Sequence, residues 1–362
     1  MRGMLYLFAM LAGPMVLLSS CSLGYYIHTA TGQLDLLSRR EPIQDLLVDP
    51  AAPDELKGRL ETVVQIRDFA SSSLGLPDND SYRSYADLER PYVVWNVFAA
   101  PEFSADAKQW CFPVVGCVTY RGYFKRAKAD KFAQGLEEEG YDVYVGGVPA
   151  YSTLGRFDDP VMNTMLHWQD ADLAAIIFHE LAHQRLYVKG DSPFSEAFAM
   201  LVEEEGLRLW VRSHGTPEAL EEYRLRWRRE GALFLLVAQT RERLRELYGS
   251  TISESRMREQ KAAEFRQLRS QYEGMKASWE GYARFDHWFK EPLNNARLGS
   301  LATYREFLPA FRTLLHRSGG ELEAFYVSAE RLAALEPAAR EERLRELLAI
   351  SEGATAASAA SD

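Results

Sequence analysis

The chain has 362 residues, 47% of them hydrophobic and 26% charged, which is the composition of an ordinary globular protein. The formal net charge is −10, and no stretch interleaves basic residues with aromatics, which argues against a nucleic-acid-binding surface. The length suits one large domain or two tightly joined subdomains.

Residues 1–20 read as an export signal of the lipoprotein type. Arg2 gives a positive start, and Met4 to Leu18 is an apolar run broken only by Gly13 and Pro14. The run is shorter than the roughly 20 apolar residues that span a bilayer. Leu18-Ser19-Ser20-Cys21 resembles the lipobox of bacterial lipoproteins, which implies a lipid on Cys21. An ordinary cleaved signal peptide and an uncleaved anchor are the alternatives. Ser22 stands where an Asp would favour inner-membrane retention, so the outer membrane is favoured. No other segment is long and apolar enough to span. The expectation is a body tethered to the bacterial envelope by its lipid and facing the periplasm.

Residues 21–150 are expected to form an N-terminal part that contains a small sheet. Leu34, Leu36, Leu37, Ile43, Leu46 and Leu47 are spaced for one buried helical face, continued by Val63, Val64, Ile66 and Phe69. Ser71-Ser72-Ser73 and Leu76-Pro77-Asp78-Asn79-Asp80 mark a break. Tyr92 to Phe98, the cluster from Val114 to Tyr123, and Tyr141 to Val145 are rich in β-branched and aromatic residues and predict strands. Phe124 to Glu139 predicts an amphipathic helix between the last two. Cys111 and Cys117 flank a short Pro/Gly loop, and in an oxidising compartment a local disulfide is favoured over two free thiols.

Residues 151–215 carry the chemistry. Tyr151 to Pro160 is a polar loop just ahead of the sequence Phe178-His179-Glu180-Leu181-Ala182-His183. Its H-E-x-x-H spacing puts His179 and His183 one above the other on a helix, where two ring nitrogens can share one Zn2+. Glu180 lies about 100° further round, beside the ion, and is suited to take a proton from polarised water. Leu173, Ile176, Ile177, Leu181 and Leu186 make the helix apolar, and buried His and Glu are costly unless paired or metal-bound. Gly190 fits the end of this helix, Asp191 or Ser192 can cap the next, and Pro193 fits its first turn. Leu186 and Lys189 occupy the places of Gly and the third His in the metzincin pattern, so a glutamate ligand is expected. Glu196 and Glu203 lie about 6 Å and about 16 Å into the second helix, and distance alone does not choose between them. Glu203 shares a face with Glu196 and suits a hydrogen bond to a ligand His, or else belongs to a solvated acidic face with Glu204 and Glu205.

Residues 216–350 predict a helical C-terminal part, with long charged helices over 217–248 and 252–279. Asn294, Asn295 and Arg297 suit a peptide backbone or carboxylate, although Asn also caps helices readily. Tyr304 is a candidate oxyanion donor, and Tyr151 a second catalytic candidate from the loop before the active helix. Residues 351–362 are small and polar and predict a disordered tail.

Ser195-Glu196-Ala197-Phe198-Ala199 with Glu203 resembles the N-E-G-F-A…E segment of gluzincin aminopeptidases, in which the first Glu binds zinc. The chain is also similar to a family of bacterial aminopeptidases identified from sequence. That similarity covers most of the mature chain, including the lipobox start, the cysteine loop at 111–117, Tyr-Ser-Thr-Leu-Gly at 151–155 and Asn-Asn-Ala-Arg at 294–297. The resemblance implies His179, His183 and Glu196 as ligands and Glu180 as the base. Two features depart from the gluzincins: the ligand spacing is shorter, and the G-A-M-E-N motif that grips a free amine is absent. The expectation is an α+β zinc peptidase, with a small sheet on a mainly helical body, acting on peptides. An aminopeptidase is favoured. An endopeptidase or carboxypeptidase with the same centre, or a non-catalytic envelope protein with structural zinc, are the rivals.

Overall fold

Apolar residues at helical spacing put most of the chain into helices, and among the described residues three short sheets pack between them. The computed structural model describes residues 23–112, 116–301 and 307–359. The N-terminal part runs α1 (23–38), β1 (Arg40–Pro42), α2 (Ile43–Val48), α3 (Asp54–Ser72), β2 (Ser84–Ala86), β3 (Val94–Pro101), β4 (Trp110–Phe112), β5 (Gly116–Val118), β6 (Tyr120–Tyr123), α4 (Arg126–Glu138) and β7 (Tyr141–Val148). There follow β8 (Val161–Met162), α5 (Asn163–Leu166), α6 (Asp170–Arg185), α7 (Ser192–His214), α8 (Pro217–Tyr248) and α9 (Glu254–Ala277). The last helices are α10 (Asp286–Lys290), α11 (Asn295–Leu301), α12 (Leu308–Arg317), α13 (Leu322–Ala333) and α14 (Pro337–Ala359). The fold is α+β, mainly helical with small sheets.

The sheet predicted from the β-branched runs is antiparallel, in the order β6-β3-β7. Its β3–β7 ladder runs from Val94↔Val148 to Pro101↔Tyr141. Trp95, Val97 and Ala99 alternate onto one face and bury against Ala129, Ala133 and Leu136 of α4. The β4–β5 hairpin sets Cys111 opposite Cys117, and a disulfide joins them. A further sheet pairs β1 with β2 antiparallel and β2 with β8 parallel. Its strands are two or three residues long, and Arg40-Glu41-Pro42 has no apolar alternation to announce one. At the other end, α14 continues to Ala359 where a disordered tail is the sequence expectation.

The main core buries Phe178 and Leu181 of α6 against Phe194 and Phe198 of α7, with Phe311 and Phe325 from α12 and α13 closing the far side. Gly206 lets α7 come close: a Cβ there would sit 2.7 Å from Leu74 Cδ1 and 3.0 Å from Phe178 Cδ2. A second cluster, with Leu268 and Tyr272 of α9 at its centre, holds the α8–α9 hairpin together. Among the described residues, no helix is long and apolar enough to cross a membrane.

Candidate active site

The α6–α7 hairpin brings the site together. Asp170 and Asp172 in the first turn of α6, and His183 and Arg185 in its last, complement the helix dipole. Gly190 turns the chain at φ +84°, a left-handed value that suits glycine. Asp191 then caps α7 by accepting from Phe194 N at 3.1 Å, and its other oxygen accepts from Arg340 Nε of α14 at 2.7 Å. Ser195 Oγ, bonded to Val188 N at 3.0 Å, ties the start of α7 back to the connecting turn. The two helices run antiparallel with Glu196 against the C-terminal turns of α6.

Three donor atoms converge as a result. His179 Nε2 and His183 Nε2 face each other at 3.1 Å, and the Glu196 carboxylate stands 3.4 Å from the first and 3.6 Å from the second. Zinc bonds of 2.0–2.2 Å in tetrahedral geometry separate neighbouring ligands by roughly 3.3–3.6 Å. The edges of this triangle therefore fit a shared ion. His179 Nδ1 lies 3.0 Å from a Glu203 oxygen. A carboxylate there favours the proton on Nδ1 and leaves the Nε2 lone pair facing the centre. His183 Nδ1 is buried and has no hydrogen-bond partner among the described residues.

Burial pushes the His179 imidazole down, but Glu196 and Glu203 outweigh it and hold it well above its ordinary value. Burial pushes Glu196 up, and the two imidazoles pull it below the usual carboxylate range. A divalent ion at the centre would take the place of these shared protons. His179, His183 and Glu196 form a group of three potential metal ligands among the described residues, and a closed structural site uses four.

The half-buried Glu180 faces a wall built from two segments, and Gln184, one turn further along α6, holds both. Asn79 Nδ2 donates to Gln184 Oε1 at 2.7 Å, and Gln184 Nε2 donates to Ser81 Oγ at 3.2 Å. Gly155, at φ +74°, lies so close that a Cβ would meet Gln184 Cγ at 3.1 Å. The loop carrying Gly155 is anchored by Asp159, which is 1% exposed and accepts from Thr153 N at 2.7 Å and Thr153 Oγ1 at 2.9 Å. Burial raises the Asp159 carboxyl to about 6 despite those bonds, and the Glu180 charge adds to the rise. On the open side Tyr187 sets its ring edge against His183, with centroids 5.9 Å apart. Gln184, Tyr187 and Asp159 were not singled out from the sequence. For Gln184 the signal was its i+4 relation to Glu180.

Asn294, Asn295 and Arg297 stand at the start of α11, which packs on β3 and β7. Asn294 Oδ1 caps α11 by accepting from Arg297 N at 2.8 Å, and its Nδ2 donates to Val143 O at 2.8 Å. Asn295 accepts from Tyr248 Oη at 2.9 Å and donates to the carbonyls of Glu102 at 2.9 Å and Pro101 at 3.3 Å. Both amides thus brace β3 and β7 against the helices. Arg297 is 4% exposed, its guanidinium stacked over Tyr144 at 4.6 Å. Tyr151 packs edge-on against Phe124, and burial with the nearby Asp159 charge pushes its phenol up to about 12. Tyr304 and Cys21 lie outside the described residues.

No curated protein and no solved structure matches the chain. A family model described as "Putative aminopeptidase" matches residues 24–344. That match spans both helices of the site and most of the sequence, and the chain belongs to this family.

Proposed function

We propose that this chain is a zinc-dependent peptidase, an aminopeptidase by preference, working in the bacterial envelope from a lipid anchor on Cys21. Family membership supports peptidase activity on a peptide substrate. The observation that carries the zinc reading is the triangle of His179, His183 and Glu196, with edges of 3.1, 3.4 and 3.6 Å. When bound there, zinc supplies a Lewis acid that polarises the scissile carbonyl and lowers the pKa of a water. Glu203 holds the His179 proton on Nδ1 and so keeps the ligand nitrogen free. Glu180 takes the proton of the attacking water and delivers it to the leaving amine. The half-exposed Tyr187 leaves the His183 side of the centre open for a peptide to approach.

The test combines metal analysis with digestion of peptides bearing free or blocked amino ends. Purified protein is expected to carry one zinc and to cleave peptides with a free amino end faster. Glu180→Gln keeps the metal and loses turnover. Cleavage by E180Q at the wild-type rate, or zinc retained after all three proposed ligands are replaced, refutes the mechanism. Equal cleavage of blocked peptides reassigns the enzyme as an endopeptidase. Release of the protein from membranes by Cys21→Ala checks the anchor.

A further inference from the structure

The helix α1 packs one face on the body and leaves an apolar stripe uncovered on the other. Inward, His28 accepts from Phe124 N at 3.2 Å, and Phe124 fills the space that a Cβ at Gly32 would need. Tyr25 stacks on Phe112 at 5.7 Å and meets Tyr123 edge-on at 5.5 Å, and Leu36 enters the main core. Outward, Leu23, Ile27 and Leu34 are 60%, 55% and 65% exposed. Their spacing sets them within about 40° of one another, and about 160° round from the line through His28, Gly32 and Leu36. Exposed Ala30 continues the stripe and exposed Tyr26 flanks it. From Leu23 to Leu34 there is no Asp, Glu, Lys or Arg. A surface helix bathed in water ordinarily turns a charged face outward, whereas α1 turns a continuous apolar one.

The surroundings of the stripe indicate what covers it. Lys125, Arg126 and Lys128 stand exposed around the first turn of α4, directly after the Phe124 that holds His28. Burial, and then the charges of Lys128 and Lys125, push the His28 imidazole below its ordinary value. The first turn of α4 holds no acidic residue, although a helix N-terminus disfavours cations. Arg126 pairs with Asp130 at 2.7 Å, and the two lysines form no ion pair among the described residues. An apolar stripe with a tyrosine at its edge and cations beside it matches a bilayer interface. Acyl chains take the aliphatic side chains, the ring sits at headgroup level, and lysines meet anionic headgroups. The chain arrives there as well. Ser22 alone separates Cys21 from α1, and two residues reach at most about 7 Å, so a lipid on Cys21 brings Leu23 to the headgroups. The helix is too short to cross and would lie along the surface.

We propose that α1 lies in the plane of the bilayer surface, with Leu23, Ile27 and Leu34 among the acyl chains and Lys125 and Lys128 on anionic headgroups. The body is then held in one orientation instead of swinging on a free tether. Arg40, just past the helix, donates to Asp158 O at 2.8 Å in the loop beside Glu180, so that orientation reaches the candidate site. The inference rests on the lipid anchor proposed for Cys21. With Cys21 acylated and Cys111 joined to Cys117, a cysteine introduced at Ile27 or Leu34 is the one free thiol of the full chain. Both positions are exposed, where substitutions seldom unfold a protein. Nitroxide-labelled I27C and L34C are reconstituted in vesicles of phosphatidylethanolamine and phosphatidylglycerol, with the exposed Glu342→Cys of α14 as control. Collision with a water-soluble nickel chelate should be about tenfold lower at 27 and 34 than at 342, and collision with oxygen higher, as burial in the interface requires. Replacing phosphatidylglycerol by phosphatidylcholine should raise nickel access at 27 by about twofold, and no change overturns the role given to the lysines. Equal nickel access at all three positions, with the intact mass showing Cys21 acylated, overturns this inference alone. Shielding from nickel and oxygen alike also overturns it and assigns the stripe to a second copy of the chain. An unmodified Cys21 in a chain that stays in solution overturns the anchor and this inference together.

Discussion

Asp159 offers a measurement of how the wall beside Glu180 is held. The perturbation is Asp159→Asn, which keeps the shape and the acceptor oxygen for Thr153 but cannot ionise. Burial raises the folded carboxyl from an ordinary 3.8 to about 6. The folded protein therefore holds this proton more tightly than the unfolded chain. Its stabilising contribution is complete below about pH 4 and is lost as pH rises through 6. At about 1.4 kcal/mol per pH unit, the gap amounts to about 3 kcal/mol over the whole window. Roughly 1.4 kcal/mol of that falls between pH 5 and pH 7.5. Asp159 is 1% exposed, so solvent screening does not shrink the figure. The assay is urea unfolding of wild type and D159N in chelator at several pH values, because the difference between the two cancels every other titrating group. The stability of D159N relative to wild type should rise by about that 1.4 kcal/mol from pH 5 to pH 7.5. Parallel curves, or a difference that moves the other way, would show that the buried carboxyl titrates near its ordinary value and that the argument from burial fails.

Other consequences concern the metal and the packing that presents it. Glu203→Ala removes the group that orients His179 at 3.0 Å, and zinc affinity should weaken about 10- to 100-fold in a chelator competition. Unchanged affinity would return Glu203 to the acidic surface of α7. Gly206→Val pushes bulk toward Leu74 and Phe178, where even a Cβ would approach to 2.7 Å and 3.0 Å. The expected loss is about 1–3 kcal/mol in urea unfolding, with weaker zinc binding because α7 carries Glu196. A fully stable variant would mean that the α6–α7 contact has slack the structure does not suggest.

The part of the site written most plainly in the sequence was the part built from local periodicity. The i, i+4 spacing of His179 and His183 needs only a helix to act, and the apolar residues around it supply one. The punctuation around Gly190 and Pro193 likewise foretold the end of one helix and the start of the next. The choice between Glu196 and Glu203 was not legible, since it depends on how two helices cross. In the structure the two acids divide the work, one facing both Nε2 atoms and the other His179 Nδ1. Asn294 and Asn295 carry an ambiguity that is chemical. An amide that can bind a peptide backbone can equally bind the protein's own, and here it binds Val143, Pro101 and Glu102.

The wall beside Glu180 was invisible for a different reason. Its residues come from positions 79–82, 151–159 and 184, and what joins them is a few hydrogen bonds across about 100 residues of chain. No periodicity encodes such contacts, and nothing in the sequence announces the φ +62° of Tyr82. One clue was available. In His-Glu-Leu-Ala-His-Gln the last residue falls on the face of Glu180, where an uncharged amide can both donate and accept without competing for a cation. A charged residue there would bias the base electrostatically, and an apolar one would leave Asn79 and Ser81 unmatched. Gln184 thus connects the helix that carries His179 and His183 to the segment that carries Asn79 and Ser81. The surroundings of Glu180 are thereby set by elements that the motif itself does not contain.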